Sequence, residues 1–151
     1  MLGSGPRTVF DDVRSELEKM SSEVWYLGEQ ADLAAAYKIF GNSMLFVIAA
    51  GVTDVFAMAK GLGMAPADAL AVFAKFQPGG LIKARGDKMA RGDFSASFEL
   101  TMARKDMRLM IEAAGAQPMV VLPAIAERMD DAIARGHGHE DLGVIAAELV
   151  R

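Results

Sequence analysis

From Gln30 to Leu62 the chain reads QADLAAAYKIFGNSMLFVIAAGVTDVFAMAKGL. Ala, Leu, Met, Phe and Val dominate, charges are few and no proline interrupts. The composition predicts one long helix. Apolar residues fall on nearly every side of it, so it should be buried on nearly every side. A chain of 151 residues is one ordinary domain by size. It hardly surrounds such a rod, and a partner subunit is expected to complete the cover. Gly41 and Gly51 each cost about 1 kcal/mol relative to Ala in a helix interior. They read as places where another helix comes close. Between Lys38 and Asp54 the uncharged run has 15 residues. A membrane span needs roughly 18–20, so the stretch reads as a core helix and no membrane is expected.

Working outward, Val24 to Leu27 reads as one short strand ending at Gly28. Its partner is either the few residues at the N-terminus or a strand outside this chain. Before it, Pro6 opens a helix carrying Val9, Phe10, Val13 and Leu17 at helical spacing and closing at Met20. After the long helix, Gly61-Leu62-Gly63 is a stop and Pro66 a start. Further helices are expected from Pro66 to Phe76, Gly80 to Met89, Phe98 to Ala114 and Pro118 to Arg135, with a last one through Val144 and Leu149. Gly115 and Gly136 stand just past two of these ends, where a left-handed cap residue is wanted. The expectation is a mostly α fold: about seven helices around one long buried helix, with one short strand near the N-terminus.

Composition removes several function classes. There are 16 Lys+Arg against 20 Asp+Glu, a formal net charge of −4. A mildly acidic chain lacks the cation excess of a general nucleic-acid binder. No cysteine is present, which excludes disulfides and thiol chemistry. A hydrophobic fraction of 52% excludes intrinsic disorder. No export signal is read at Met1 to Arg7, and the cytoplasm is the expected location.

Two constellations bear chemistry. Lys38 and Asn42 stand four residues apart and share a helix face. Ala34, Ala35, Ala36, Ile39 and Phe40 surround them, so the ammonium is expected to be partly desolvated. That tunes a lysine toward proton transfer. The same spacing also occurs where a lysine merely snorkels to solvent. Lys105-Asp106 is the second pair; it reads either as a group facing a cleft or as a solvated face. His137 and His139 flank Gly138 in what reads as a polar loop, and no metal is expected. The Arg-Gly-Asp triplets at 85–87 and 91–93 read as turns. No G-x-G-x-x-G phosphate turn occurs.

Together these residues resemble the C-terminal half of the β-hydroxyacid dehydrogenases of the 3-hydroxyisobutyrate dehydrogenase type. The run from Leu27-Gly28 to Lys38 and Asn42 is similar to the family's catalytic segment, Gly-x-Gly-x-x-x-Lys-x-x-x-Asn. Gly92-Asp93-Phe94, Phe98 and Lys105-Asp106 resemble its second signature. Pro118, Gly136, Gly138 and Asp141 resemble its closing pattern, and Gly61-Leu62-Gly63 with Pro66 its connection after the long helix. The resemblance implies a fold like the C-terminal part of 6-phosphogluconate dehydrogenase, and a homodimer through the long helix. Residues 1–28 would be the end of a Rossmann NAD(P)-binding domain, and 29–151 the all-helical dehydrogenase domain. It also implies hydride exchange between NAD or NADP and a small 3-hydroxy acid or its semialdehyde. Lys38 would move the hydroxyl proton, Asn42 would hold substrate or lysine, and Lys105 would reach the cofactor, with Asp106 supporting it. The chain alone is then expected to bind NAD(P) weakly and to turn over nothing. Two other readings stand beside this one: a related imine or aldehyde reductase, and a non-catalytic helical dimerisation module.

The sequence departs from the family pattern before Lys38. Asp32 and Ala34 occupy the places of two glycines that let backbone approach substrate. An anionic carboxylate there would meet the like charge of Asp32.

Overall fold

Residues 1–150 are described by the computed structural model. Among them the chain is mostly helical, with seven α-helices and two very short strands. They form two compact units, Met1–Ile48 and the residues from Ala49 onward.

In the first unit, β1 (Leu2–Gly3) pairs in parallel with β2 (Trp25–Tyr26), Leu2 opposite Trp25 and Gly3 opposite Tyr26. The short strand thus finds its partner at the N-terminus. Parallel neighbours need a crossover, and α1 (Arg7–Met20) supplies it. Phe10 is the buried residue of α1; its ring lies 4.6 Å from that of Tyr26. A Cβ on Gly3 would lie 2.7 Å from the Phe10 ring, so the strand needs glycine there.

The long helix, α2, runs Leu33–Gly61. It begins three residues after Gln30 because the turn out of β2 uses Gly28 at φ 128° and leaves 29–32 outside the helix. Within this chain the helix is not buried on nearly every side, as expected of a chain of this size, which hardly surrounds such a rod. From Tyr37 to Ala49 every residue is exposed. The first part of α2 meets no neighbouring element to cover it, so apolar composition produced the helix without producing burial. By length and hydropathy alone α2 could cross a membrane. However, its uncharged run of 15 residues rises only about 22 Å, short of a hydrocarbon core of about 30 Å.

The second unit holds the end of α2, then α3 (Pro66–Leu70) with a 3-10 turn over Ala71–Ala74, and α4 (Gly79–Ala90). There follow α5 (Leu100–Ala114), α6 (Leu122–Ala132), a wide turn over Ile133–His137, a 3-10 segment over Leu142–Ala146 and α7 (Ala147–Val150). Phe94, Leu100, Ala103, Met107, Ala126, Met129, Ala132 and Val144 form its core. Four helices differ from expectation: the last is 3-10 over Leu142–Ala146 and α-helical only from Ala147, and three others differ at their ends. The Pro66 helix tightens into 3-10 after Leu70. The helix expected from Phe98 starts at Leu100, and the one expected from Pro118 starts at Leu122. In the last two cases a carboxylate from far along the chain holds the preceding backbone.

Candidate active site

Ser4, at the end of β1, fixes how α2 begins. Its hydroxyl donates to the Ala31 carbonyl at 2.8 Å and accepts from the Ala34 N–H at 3.0 Å. It thereby satisfies one of the first-turn donors that a helix leaves open. Gly5 donates to Gly28 O at 3.0 Å, and the Tyr26 hydroxyl to Gly5 O at 2.9 Å. The loop carrying Asp32 is therefore tied to the strand end, with Asp32 exposed. No motif reading singled out Ser4; a serine between two glycines at a strand end was the signal available.

Lys38 stands one and a half turns into α2, with Asn42 one turn further on the same face. Both are exposed. The expected desolvation of Lys38 is absent, since no neighbour in its unit displaces water from it. Its candidacy as a proton carrier rests on residue type and spacing rather than on burial.

In the second unit, Lys105 and Asp106 form an ion pair at 3.3 Å, each about half exposed. The helix beneath them is firmly placed. Arg104 makes a bidentate pair with Asp130 of α6, at 2.8 and 2.9 Å. Ala103 and Met107 enter the core. Asp141 holds the segment leading into α5. Its buried carboxylate accepts from Ser97 N at 3.1 Å, Ser97 Oγ at 2.7 Å, Phe98 N at 3.2 Å, Gly143 N at 3.0 Å and Arg85 Nη1 at 2.5 Å. Burial alone would raise the Asp141 pKa. The bonds from Gly143, Ser97 and Phe98 outweigh it and bring the carboxyl down to about 2.

Asp54 plays a like part at α6. It is 1% exposed and accepts from the N–H groups of Val120, Val121 and Leu122 at 2.5, 2.9 and 2.8 Å. Burial works against its charge, and the three N–H groups prevail, so its pKa lies below the ordinary value. One acid in an apolar helix was the legible sign; that it caps a helix 66 positions away was not. Near it, Thr53, Phe56, Ala57, Lys60, Gln117 and Pro118 line an open groove of about 230 Å³.

His137 Nδ1 lies 2.7 Å from Glu140 Oε1, while His139 is exposed. Among the described residues no group of three or more His, Cys, Asp or Glu side chains could hold a metal ion.

Residues 33–149 match the family model described as the NAD-binding domain of NADP-dependent 3-hydroxyisobutyrate dehydrogenase, and the chain belongs to that family. The cytokine-like nuclear factor N-PAC of Anopheles gambiae is 24% identical over 148 residues, 96% of this chain and 26% of that protein. An imine reductase from Myxococcus stipitatus, solved with NADP+, superposes with a TM-score of 0.86 at 16% identity, covering 96% of this chain and 55% of that one. A reductive aminase from Aspergillus terreus, solved with NADPH and ethyl levulinate, gives 0.83 at 18% identity, covering 98% and 53%. At these identities the two structures establish the shared fold. The chain spans about half the length of each.

Proposed function

We propose that this chain is the helical half of an NAD(P)-dependent oxidoreductase acting on a small 3-hydroxy acid or its semialdehyde. The observation that carries the reading is the family match over 33–149, which contains Lys38 and Asn42 one turn apart on α2 and Lys105 on α5. Lys38 takes the hydroxyl proton on oxidation and returns one to the carbonyl oxygen on reduction. Asn42 offers an N–H donor and a carbonyl acceptor to hold that oxygen or the lysine. When bound, NAD or NADP gives or takes the hydride. Lys105 is an exposed cation on a well-anchored helix, which suits contact with an anionic dinucleotide. The chain carries no G-x-G-x-x-G turn for the pyrophosphate. It therefore fits the edge of a cofactor whose main cradle lies in a nucleotide-binding half.

Residues 1–28 are the end of that half. The parallel pairing of β1 and β2 about α1 supports this, because a two-stranded parallel sheet is a piece of a larger one. A homodimer through α2 is supported by the exposure of Ile39, Phe40, Leu45, Phe46, Val47 and Ile48. The protein works in the cytoplasm.

A second reading, reduction of an imine or aldehyde lacking a carboxylate, is favoured by one feature. Asp32 is exposed on the pinned loop before α2, where it repels an anionic substrate. The presence of Lys38 speaks for a hydroxyl or carbonyl substrate over an imine, because the lysine exchanges a proton with that oxygen. The exposure of Lys38 is the observation on the side of a non-catalytic dimerisation module. Calorimetric titration of the purified chain with NADH and NADPH tests the division of labour. Weak binding and no turnover of hydroxy acids are expected; turnover by the chain alone would contradict it.

A further inference from the structure

The groove beside the end of α2 has no part in the reaction proposed above. Thr53, Phe56, Ala57 and Lys60 form one wall and Gln117 and Pro118 the other, around about 230 Å³. At about 100° per residue, the four residues of α2 lie within about 50° of one line along the helix. Lys38, Asn42 and Lys105 are not among the lining residues.

Both walls stand without a ligand. The first is continuous helix as far as Gly61. The second is fastened on either side of Pro118: the Gln117 N–H donates to the Ala114 carbonyl at 3.1 Å, and the Val120 N–H to the Asp54 carboxylate at 2.5 Å. A preformed groove takes a small molecule with little ordering cost.

Phe56, Ala57 and Pro118 make the groove apolar over most of its lining. Among the described residues the Lys60 ammonium makes no ion pair and the Gln117 carboxamide no hydrogen bond. The Thr53 hydroxyl already donates to the Ala49 carbonyl at 3.1 Å. Asp54, the nearest acid in sequence, lies about 110° round the helix from the groove. It is 1% exposed, and the N–H groups of Val120, Val121 and Leu122 occupy its oxygens. A lysine in the last turn of a helix is favoured by the carbonyl ends there. That accounts for a cation at this place but gives it no counter-ion.

We propose that this groove binds a small aliphatic monocarboxylate. One carboxylate oxygen meets the Lys60 ammonium and the other accepts from the Gln117 amide, in charge-assisted bonds. The hydrocarbon chain lies on Phe56, Ala57 and Pro118. One cation and one amide match a single negative charge, whereas a phosphate, with nearly two, would leave charge unmatched. At roughly 30 Å³ per water-sized group, the volume holds about seven non-hydrogen atoms, the size of pentanoate.

Titration of the purified chain with sodium pentanoate, followed by proton–nitrogen correlation NMR, tests this, with far-UV circular dichroism as the control for folding. Shifts should centre on residues 53–60 and Gln117. Pentan-1-ol, with the same chain and no charge, should bind at least about tenfold more weakly. Lys60→Met should weaken pentanoate by a similar factor and Lys60→Arg should retain it. Lys83→Met, an exposed site on α4, should change nothing. If Lys60→Met loses helix content, Gln117→Leu and the alcohol comparison carry the test. 3-Hydroxybutyrate should bind less tightly than pentanoate, since Phe56 and Pro118 give its hydroxyl nothing to bond; the reverse order overturns the aliphatic class. Equal binding of acid and alcohol, affinity that survives Lys60→Met, or no response over 53–60 overturns the site. Each of these results leaves the oxidoreductase reading untouched.

Discussion

Asp54 and Asp141 show what single residues do in this fold. Each is a buried carboxylate whose charge is held by N–H groups from a distant segment. Replacing Asp141 by Ala strands Arg85 and several backbone donors, and should cost about 3 kcal/mol in urea denaturation. The acid response follows from the same bonds. The folded-state pKa of Asp141 is about 2 against an ordinary 3.8, and that of Asp54 is also lowered. A depressed carboxyl stabilises the fold fully above its ordinary value, and that stabilisation is lost as pH falls toward the folded value. The melting temperature should therefore be flat near neutrality and fall between about pH 5 and pH 2. Asp141→Asn should melt lower at pH 7 and lose part of that fall. A midpoint that rises on acidification would contradict this account of the two acids.

At the scale of elements, α2 joins two regimes. Its end is packed: Gly61 meets the carbonyls of Ala113 and Ala114. Gly61→Ala forces α2 away from α5 and should cost about 1–3 kcal/mol in thermal unfolding, although alanine is the better helix former. Its earlier part is exposed, so hydrogen exchange across Phe40–Ile48 should slow as protein concentration rises, if a second copy covers it. A protection pattern independent of concentration would contradict that cover. The helix itself was legible because Ala, Leu and Met repeat without proline. That the chain leaves it partly uncovered was legible from size and composition, but which part stays exposed was not, because that depends on neighbouring elements. The starts of α5 and α6 lie two and four residues beyond those that local spacing predicts, for a related reason. Phe98 and Val120 suit a helix by type, but Asp141 and Asp54 draw the N–H groups of Phe98 and Val120 out of it. Such long-range acceptors leave no trace in local spacing. Lys38, Asn42 and Lys105 are candidates by pattern, whereas the anchoring by Ser4, Arg104 and Asp141 leaves no local pattern.

For the whole molecule, membership in the 3-hydroxyisobutyrate dehydrogenase family and coverage of about half of each solved relative point the same way. On the proposed reading, the parallel strand pair and the exposed apolar rod belong to one part of a larger assembly, and Lys38 is the group this part contributes to its chemistry. The most direct measurement is steady-state kinetics of an enzyme joining this chain to a nucleotide-binding half of the family, with Lys38→Ala beside wild type. The account predicts NAD(P)-linked turnover of a small hydroxy acid or semialdehyde, and a loss in kcat of about 10²–10⁴ in the variant, with KM little changed. Turnover that survives the loss of Lys38 undiminished would contradict it.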